Sequence, residues 1–135
     1  MAEIPKEVRD FLEAIENKTR RTDSESLIDL YSRATGHPPV LWDTMVGFDA
    51  YDYRYESGHE GRSFLAGFSP RKANLVVYLT SGTEHYPELL SKLGKHKSAV
   101  SCVYINKLAD VDLEVLEKVI TLSYKDMKSR DHFAC

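Results

Sequence analysis

Cysteine is scarce: Cys102 sits inside an apolar run, Cys135 ends the sequence, and no CxxC pair occurs in the 135 residues. That excludes a disulfide framework and the closed thiolate spacing of a structural zinc site. No apolar run approaches the ~20 residues of a helical membrane span. Met1 to Glu7 has neither the basic nor the apolar segment of an export signal. A basic surplus is also missing, with a net charge of −3 and a pI near 5.9, whereas a duplex binder carries a basic face. Phosphate-loop and dinucleotide glycine patterns are absent, and Ser69 before Pro70 lacks the G-x-S-x-G elbow. His37, His59, His85, His96 and His132 form no HxH or HxxxH pair. These absences point to a reduced, cytoplasmic protein with no nucleic-acid or membrane partner, no resident cofactor and no familiar catalytic machinery.

What is present suffices for one domain, residues 1–135, with 42% hydrophobic and 29% charged residues. Pro5 suits a helix start, and Val8, Phe11, Leu12 and Ile15 recur at helical spacing, predicting a first helix that ends near Lys18 to Arg21. Thr22 and Glu25 have capping-box spacing for a second helix with Leu27, Leu30, Tyr31 and Ala34 as its buried stripe, closed by Gly36. Val40 to Phe48 reads as one strand broken at Asp43-Thr44. From Tyr51 the period becomes two, with Tyr51, Tyr53 and Tyr55 on one side. Phe64, Ala66 and Phe68 resume it after a turn at Ser57 to Gly61. Leu75 to Leu79, apolar on both faces, predicts a central strand, and Val100 to Ile105 another with Cys102 in its core. Pro87 opens a short helix, and Asp110 is placed to cap a final one whose stripe is Leu113, Leu116, Val119 and Ile120. The last residues read as loose. Helices, then hairpins, then helices predict an α+β fold. A mostly antiparallel sheet of about five strands is covered by N-terminal, middle and C-terminal helices.

Several segments together resemble one family. They are Thr35-Gly36 with Trp42 beyond, Val46-Gly47-Phe48, Tyr53 to Gly58, Gly67 to Lys72, Leu93 to Lys97, Cys102 to Ile105 and Leu108 to Asp112. In this order they resemble the YdhG-like domain of unknown function over residues 23–123, leaving residues 1–22 as an N-terminal helical extension. The resemblance implies a small α+β fold without agreed catalytic residues. Some members are described as frataxin-like iron chaperones, so it also implies iron as a cofactor or cargo.

Two ligand sets follow. Arg71 and Lys72 after a Pro turn, Lys95, His96 and Lys97 before a strand, and Arg62 could converge beside backbone N–H groups on a phosphate or carboxylate. Trp42 would supply a flat wall. Arg71 and Lys95 carry most of that expectation. The plain alternative is that they are solvated strand ends, where lysine discourages edge pairing. An acidic set, Glu7, Asp10 and Glu13 on the first helix with Asp110, Asp112 and Glu114 on the last, offers oxygen ligands for iron. Asp112 and Glu114 are explained equally well by the helix dipole. The sequence therefore favours a binding module for a small anionic ligand or an acidic protein partner, with an iron carrier as the alternative. The tyrosine stripe reads as core packing rather than a base-stacking platform.

Overall fold

The period-two stretches form a long antiparallel hairpin, and the remaining elements assemble around it. In the computed structural model the backbone is described for residues 4–42, 44–55, 60–79, 82–129 and 133–134. Side chains are described for these except 50–63 and those from 129 onward. The tyrosine stripe and the Arg62 side chain therefore lie outside the described residues, as do His59 and the start of the turn expected at Ser57 to Gly61. Four helices are present: α1 (Lys6–Glu13), α2 (Lys18–Thr35), α3 (Pro87–Leu93) and α4 (Leu113–Ser129). The strands are β1 (Val40–Trp42), β2 (Met45–Tyr55), β3 (Glu60–Pro70), β4 (Leu75–Tyr78), β5 (Lys97–Ser98), β6 (Cys102–Ile105) and β7 (Phe133–Ala134). They make one sheet in the order β1-β2-β3-β4-β6-β5, with β7 alongside β2. Every pairing is antiparallel except β2 with β7. The fold is α+β.

Register decides which side chains meet the helices. Val46 opposes Phe68, Phe68 opposes Val77, and Val77 opposes Val103, so all four share one face. That face joins Val8 and Leu12 of α1, Leu27, Ile28 and Tyr31 of α2, Leu93 of α3, and Leu116, Val119 and Ile120 of α4 in one buried cluster. Tyr31 is its pivot. Its ring stacks on Phe48 at 5.0 Å and on Phe68 at 5.6 Å, and its hydroxyl donates to the Gly67 carbonyl at 2.7 Å. Complete burial pushes the Tyr31 phenol well above its ordinary pKa.

The opposite face carries Gly47, Gly67, Tyr78 and Cys102. Here Phe64 lies across the paired glycines, tilted against Trp42 at 6.4 Å and edge-on to Tyr78 at 6.0 Å. A Cβ at Gly67 would come within 2.6 Å of Phe64 Cε2 and 2.8 Å of the Val46 carbonyl oxygen. The two glycines make the slot that the ring fills.

Boundaries differ from expectation in five places. The first helix stops at Glu13 rather than near Lys18 to Arg21, and Thr22 lies inside α2. Asn17 is the cap: its side chain accepts the Arg20 N–H at 2.9 Å, and Arg21 holds the intervening loop by donating to the Ile15 carbonyl at 2.8 and 3.2 Å. Val40 to Phe48 is not one broken strand but two paired ones, Trp42 opposing Met45. Lys97–Ser98 pairs as a strand of its own, and β6 begins only at Cys102, which is half-buried rather than core. The cap of α4 is Asp112, not Asp110: its carboxylate accepts the N–H groups of Glu114 at 3.0 Å and Val115 at 3.3 Å. Phe133–Ala134, expected loose, pairs with Arg54 and Tyr55. Gly36 does close α2, in the left-handed region at φ 72°.

Gly67→Ala forces the ring and the neighbouring strand to move, and such overpacking costs about 1–3 kcal/mol. Urea unfolding checks this. A midpoint equal to the wild type would contradict the close approach at Gly67.

Candidate functional site

The turn after β3 faces the loop between α1 and α2, and a cavity of about 610 Å³ opens between them. Its walls are the loop residues Ala14 to Asn17, Arg20 on α2, and Pro70 to Lys72. Local sequence explains each wall. The Arg21 clamp on Ile15 and the Asn17 cap fix the loop. The turn is pinned by the Arg71 N–H donating to the Asn74 carbonyl at 2.9 Å and by the Ser69 hydroxyl donating to the Thr44 carbonyl at 2.9 Å.

Its electrostatics are one-sided. The first turn of α2 contains no acidic residue, although the N-terminus of a helix carries positive partial charge and unpaired amides. Instead Arg20 lies there, 7% exposed, with Nη1 buried and without a hydrogen-bond partner among the described residues. Burial lowers the Arg20 pKa, and the nearby Asp23 carboxylate opposes that shift. Asp23 is itself engaged, accepting the Leu108 N–H at 3.0 Å. A guanidinium holds its charge at any ordinary pH, so an unpaired buried nitrogen is costly unless something else meets it. Arg71 donates to the Tyr78 hydroxyl at 3.2 Å, and Lys72 is exposed. Among the described residues the lining brings together Arg20, Arg71 and Lys72 with one carboxylate, that of Glu16, the Arg71 guanidinium being turned towards Tyr78.

Of the basic residues singled out in the sequence, Arg71 and Lys72 reach this cavity. Lys95, His96 and Lys97 lie at the same end of the sheet but beside β5, which β4 and β6 separate from β3. Strand spacing alone puts them about 14 Å away, and none lines the cavity. The Lys95 N–H donates to the Asp110 carbonyl at 3.2 Å, and His96 Nδ1 lies 2.8 Å from the Gly94 carbonyl oxygen. The Arg62 backbone opposes Asp52, eight residues along β3 from Pro70 and so about 26 Å distant. Trp42 packs against Phe64 and is not part of the lining. Arg20 and Asn17 were not anticipated. The signal was available in Asn17-Lys18-Thr19-Arg20-Arg21, a helix start with bases where acids are usual.

The acidic residues are dispersed in role. Asp10 pairs with Lys6 at 2.8 Å, Asp112 caps α4, Glu7, Glu13 and Glu114 are exposed, and Asp110 keeps one buried oxygen, Oδ2, without a partner among the described residues. Among the described residues no group of three or more His, Cys, Asp or Glu is placed to hold a metal ion. Likewise no described helix is long and apolar enough to cross a membrane.

No family model, curated protein or solved structure matches the chain. The site therefore stands on its own geometry.

A second polar cluster joins β2 to α4 and to the loop after α2. Asp49 has φ 60°, which a non-glycine residue rarely adopts, and its carboxylate is 10% exposed. One oxygen, Oδ2, accepts from the Tyr124 hydroxyl at 2.6 Å and Lys128 Nζ at 2.7 Å, with His37 Nε2 at 3.4 Å. Burial alone would push the Asp49 carboxyl up. The hydrogen bonds from Lys128 and Tyr124, with the charges of His37 and Lys128, outweigh burial and hold it below its ordinary value. Burial and the Asp49 hydrogen bond push the Tyr124 phenol up. A carboxyl lowered by folding stabilises the fold at pH values above its unfolded pKa, and that contribution is lost as pH falls through the folded value. Asn tolerates the same backbone region, so Asp49→Asn isolates the charge. The variant is expected to be less stable than wild type by about 1–3 kcal/mol near neutrality, and the gap should close below the unfolded pKa of 3.8. Urea titrations across pH measure it, and a gap independent of pH would refute the assignment.

Proposed function

We propose that the chain is a binding domain for a small anionic ligand, seated between the α1–α2 loop and the β3–β4 turn. The observation that carries this reading is Arg20: a largely buried cation in the first turn of a helix, its Nη1 without a partner among the described residues, on a residue that lines a cavity together with Arg71 and Lys72. Packing alone gives no reason for that arrangement, since an apolar side chain would fill the same space without the desolvation cost. A phosphate or carboxylate there would meet the guanidinium, the amides of the first turn and the two cations of the β-turn. The YdhG-like resemblance is compatible, since it implies a compact scaffold without agreed catalytic residues. A cytoplasmic location, part of the same reading, would expose the cavity to phosphorylated small molecules.

Arg20→Met separates a ligand role from a structural one. If Arg20 serves a ligand, the variant should be at least as stable as wild type in anion-free buffer. Wild type should gain stability with inorganic phosphate or pyrophosphate, by about 2.7 kcal/mol at a hundredfold excess over Kd, while Arg20→Met gains none. Arg71→Ala should weaken the gain. Thermal unfolding with and without each anion provides the measurement. A strongly destabilised Arg20→Met that still responds to phosphate would overturn the reading.

A further inference from the structure

We infer that the ligand of this cavity is the phosphate monoester of a small hydroxylated molecule, with at least one hydroxyl donating to Glu16; the inference rests on the anion-binding reading above. Size is the first argument. At about 610 Å³ the cavity, half open to solvent, has room for a small organic ligand, and inorganic phosphate alone would leave most of it to water. The phosphate therefore comes with a carbon body.

The lining then selects the kind of body. Among the described residues its apolar part is Ala14, Ile15 and Pro70, with no aromatic residue. A nucleobase or other flat ring finds no stacking partner there, whereas a short aliphatic skeleton fits such a wall. The polar groups are unequal in kind. Arg20, Arg71 and Lys72 only donate, and Asn17, whose side-chain oxygen already accepts the Arg20 N–H, has its amide hydrogens left to donate. Glu16 is the one lining carboxylate among the described residues, exposed on the loop, and only accepts when ionised.

A phosphate satisfies the donors and nothing else. The second phosphate of a pyrophosphate, or the second carboxylate of a diacid, would be repelled by Glu16. A hydroxyl donates to it. An amine would also donate, but it brings positive charge to a lining where, among the described residues, cations already outnumber the carboxylate three to one. Asp23, which moderates Arg20 from outside the lining, is engaged with the Leu108 N–H. Hydroxyl groups match the lining without adding charge of either sign.

The test compares inorganic phosphate, pyrophosphate, glycerol 3-phosphate, a hexose 6-phosphate and phosphoethanolamine by calorimetry on wild type, Glu16→Gln and Arg20→Met. Wild type is expected to bind glycerol 3-phosphate or the hexose phosphate about tenfold or more tighter than inorganic phosphate. Glu16→Gln should shrink that preference to about threefold or less and strengthen pyrophosphate binding. Arg20→Met should lose all five ligands. Inorganic phosphate and pyrophosphate that bind through Arg20, with no advantage for the hydroxylated esters, would overturn this inference and leave the anion site standing. Phosphoethanolamine bound tightest, and through Glu16, would overturn the hydroxyl assignment in favour of an amine. No binding of any phosphate compound would remove the anion site and this inference together.

Discussion

Tyr31 sets the relation between helix and sheet. Its ring stacks on Phe48 and Phe68, and its hydroxyl reaches the carbonyl of Gly67, the residue before Phe68 on β3. Buried phenols need such a partner, and the carbonyl is fixed by the sheet ladder, so α2 can neither rotate nor slide without losing the bond. Arg20 lies eleven residues earlier, about three whole turns and about 16 Å along the axis, and therefore on the same side of the helix as Tyr31. Arg71 follows Gly67 by four residues along an extended strand, about 13 Å in the same direction. Anchoring Tyr31 on Gly67 thus delivers the start of α2 to the turn that carries Arg71 and Lys72. The cavity is a consequence of that register rather than of any contact between its own walls.

The sheet and most helices were legible because their signals are local. The strand at Phe64 to Phe68, the continuous apolar run at Leu75 to Leu79, the Pro87 start and the Gly36 stop were each read from local preference, although the alternation itself breaks at Phe64, which lies over Gly47 and Gly67 while Ala66 and Phe68 join the helix-facing cluster. Less legible were features that depend on partners distant in sequence. The Gly47–Gly67 slot has meaning only once the strands pair and Phe64 lies across them. The left-handed Asp49 is explained only by Tyr124 and Lys128 on α4.

The candidate site was half legible for a related reason. Their place in turns drew attention to Arg71 and Lys72, which line the cavity, but the same logic also drew in Lys95, His96 and Lys97, which strand order places beyond two intervening strands. Arg20 was lost through a boundary. With the first helix running to Lys18 or Arg21, the bases there would sit at a negative helix end and look fully explained. With the break at Ala14 to Asn17, they sit at a positive one, and the same residues become an anomaly that needs a counter-charge. A shift of one helix boundary by a few residues reverses the sign of the electrostatic argument.

The crowding at Asp49 has a different implication. A single oxygen atom is shared by a phenol and an ammonium from α4, with an imidazole from just beyond the end of α2 close by. These neighbours compete for the same lone pairs, so removing one lets the others tighten, and the loss from deleting two together exceeds the sum of separate losses. The joint between strand and helices is therefore redundant by construction: it tolerates drift at His37, Tyr124 or Lys128 singly, while the carboxylate they share has no substitute.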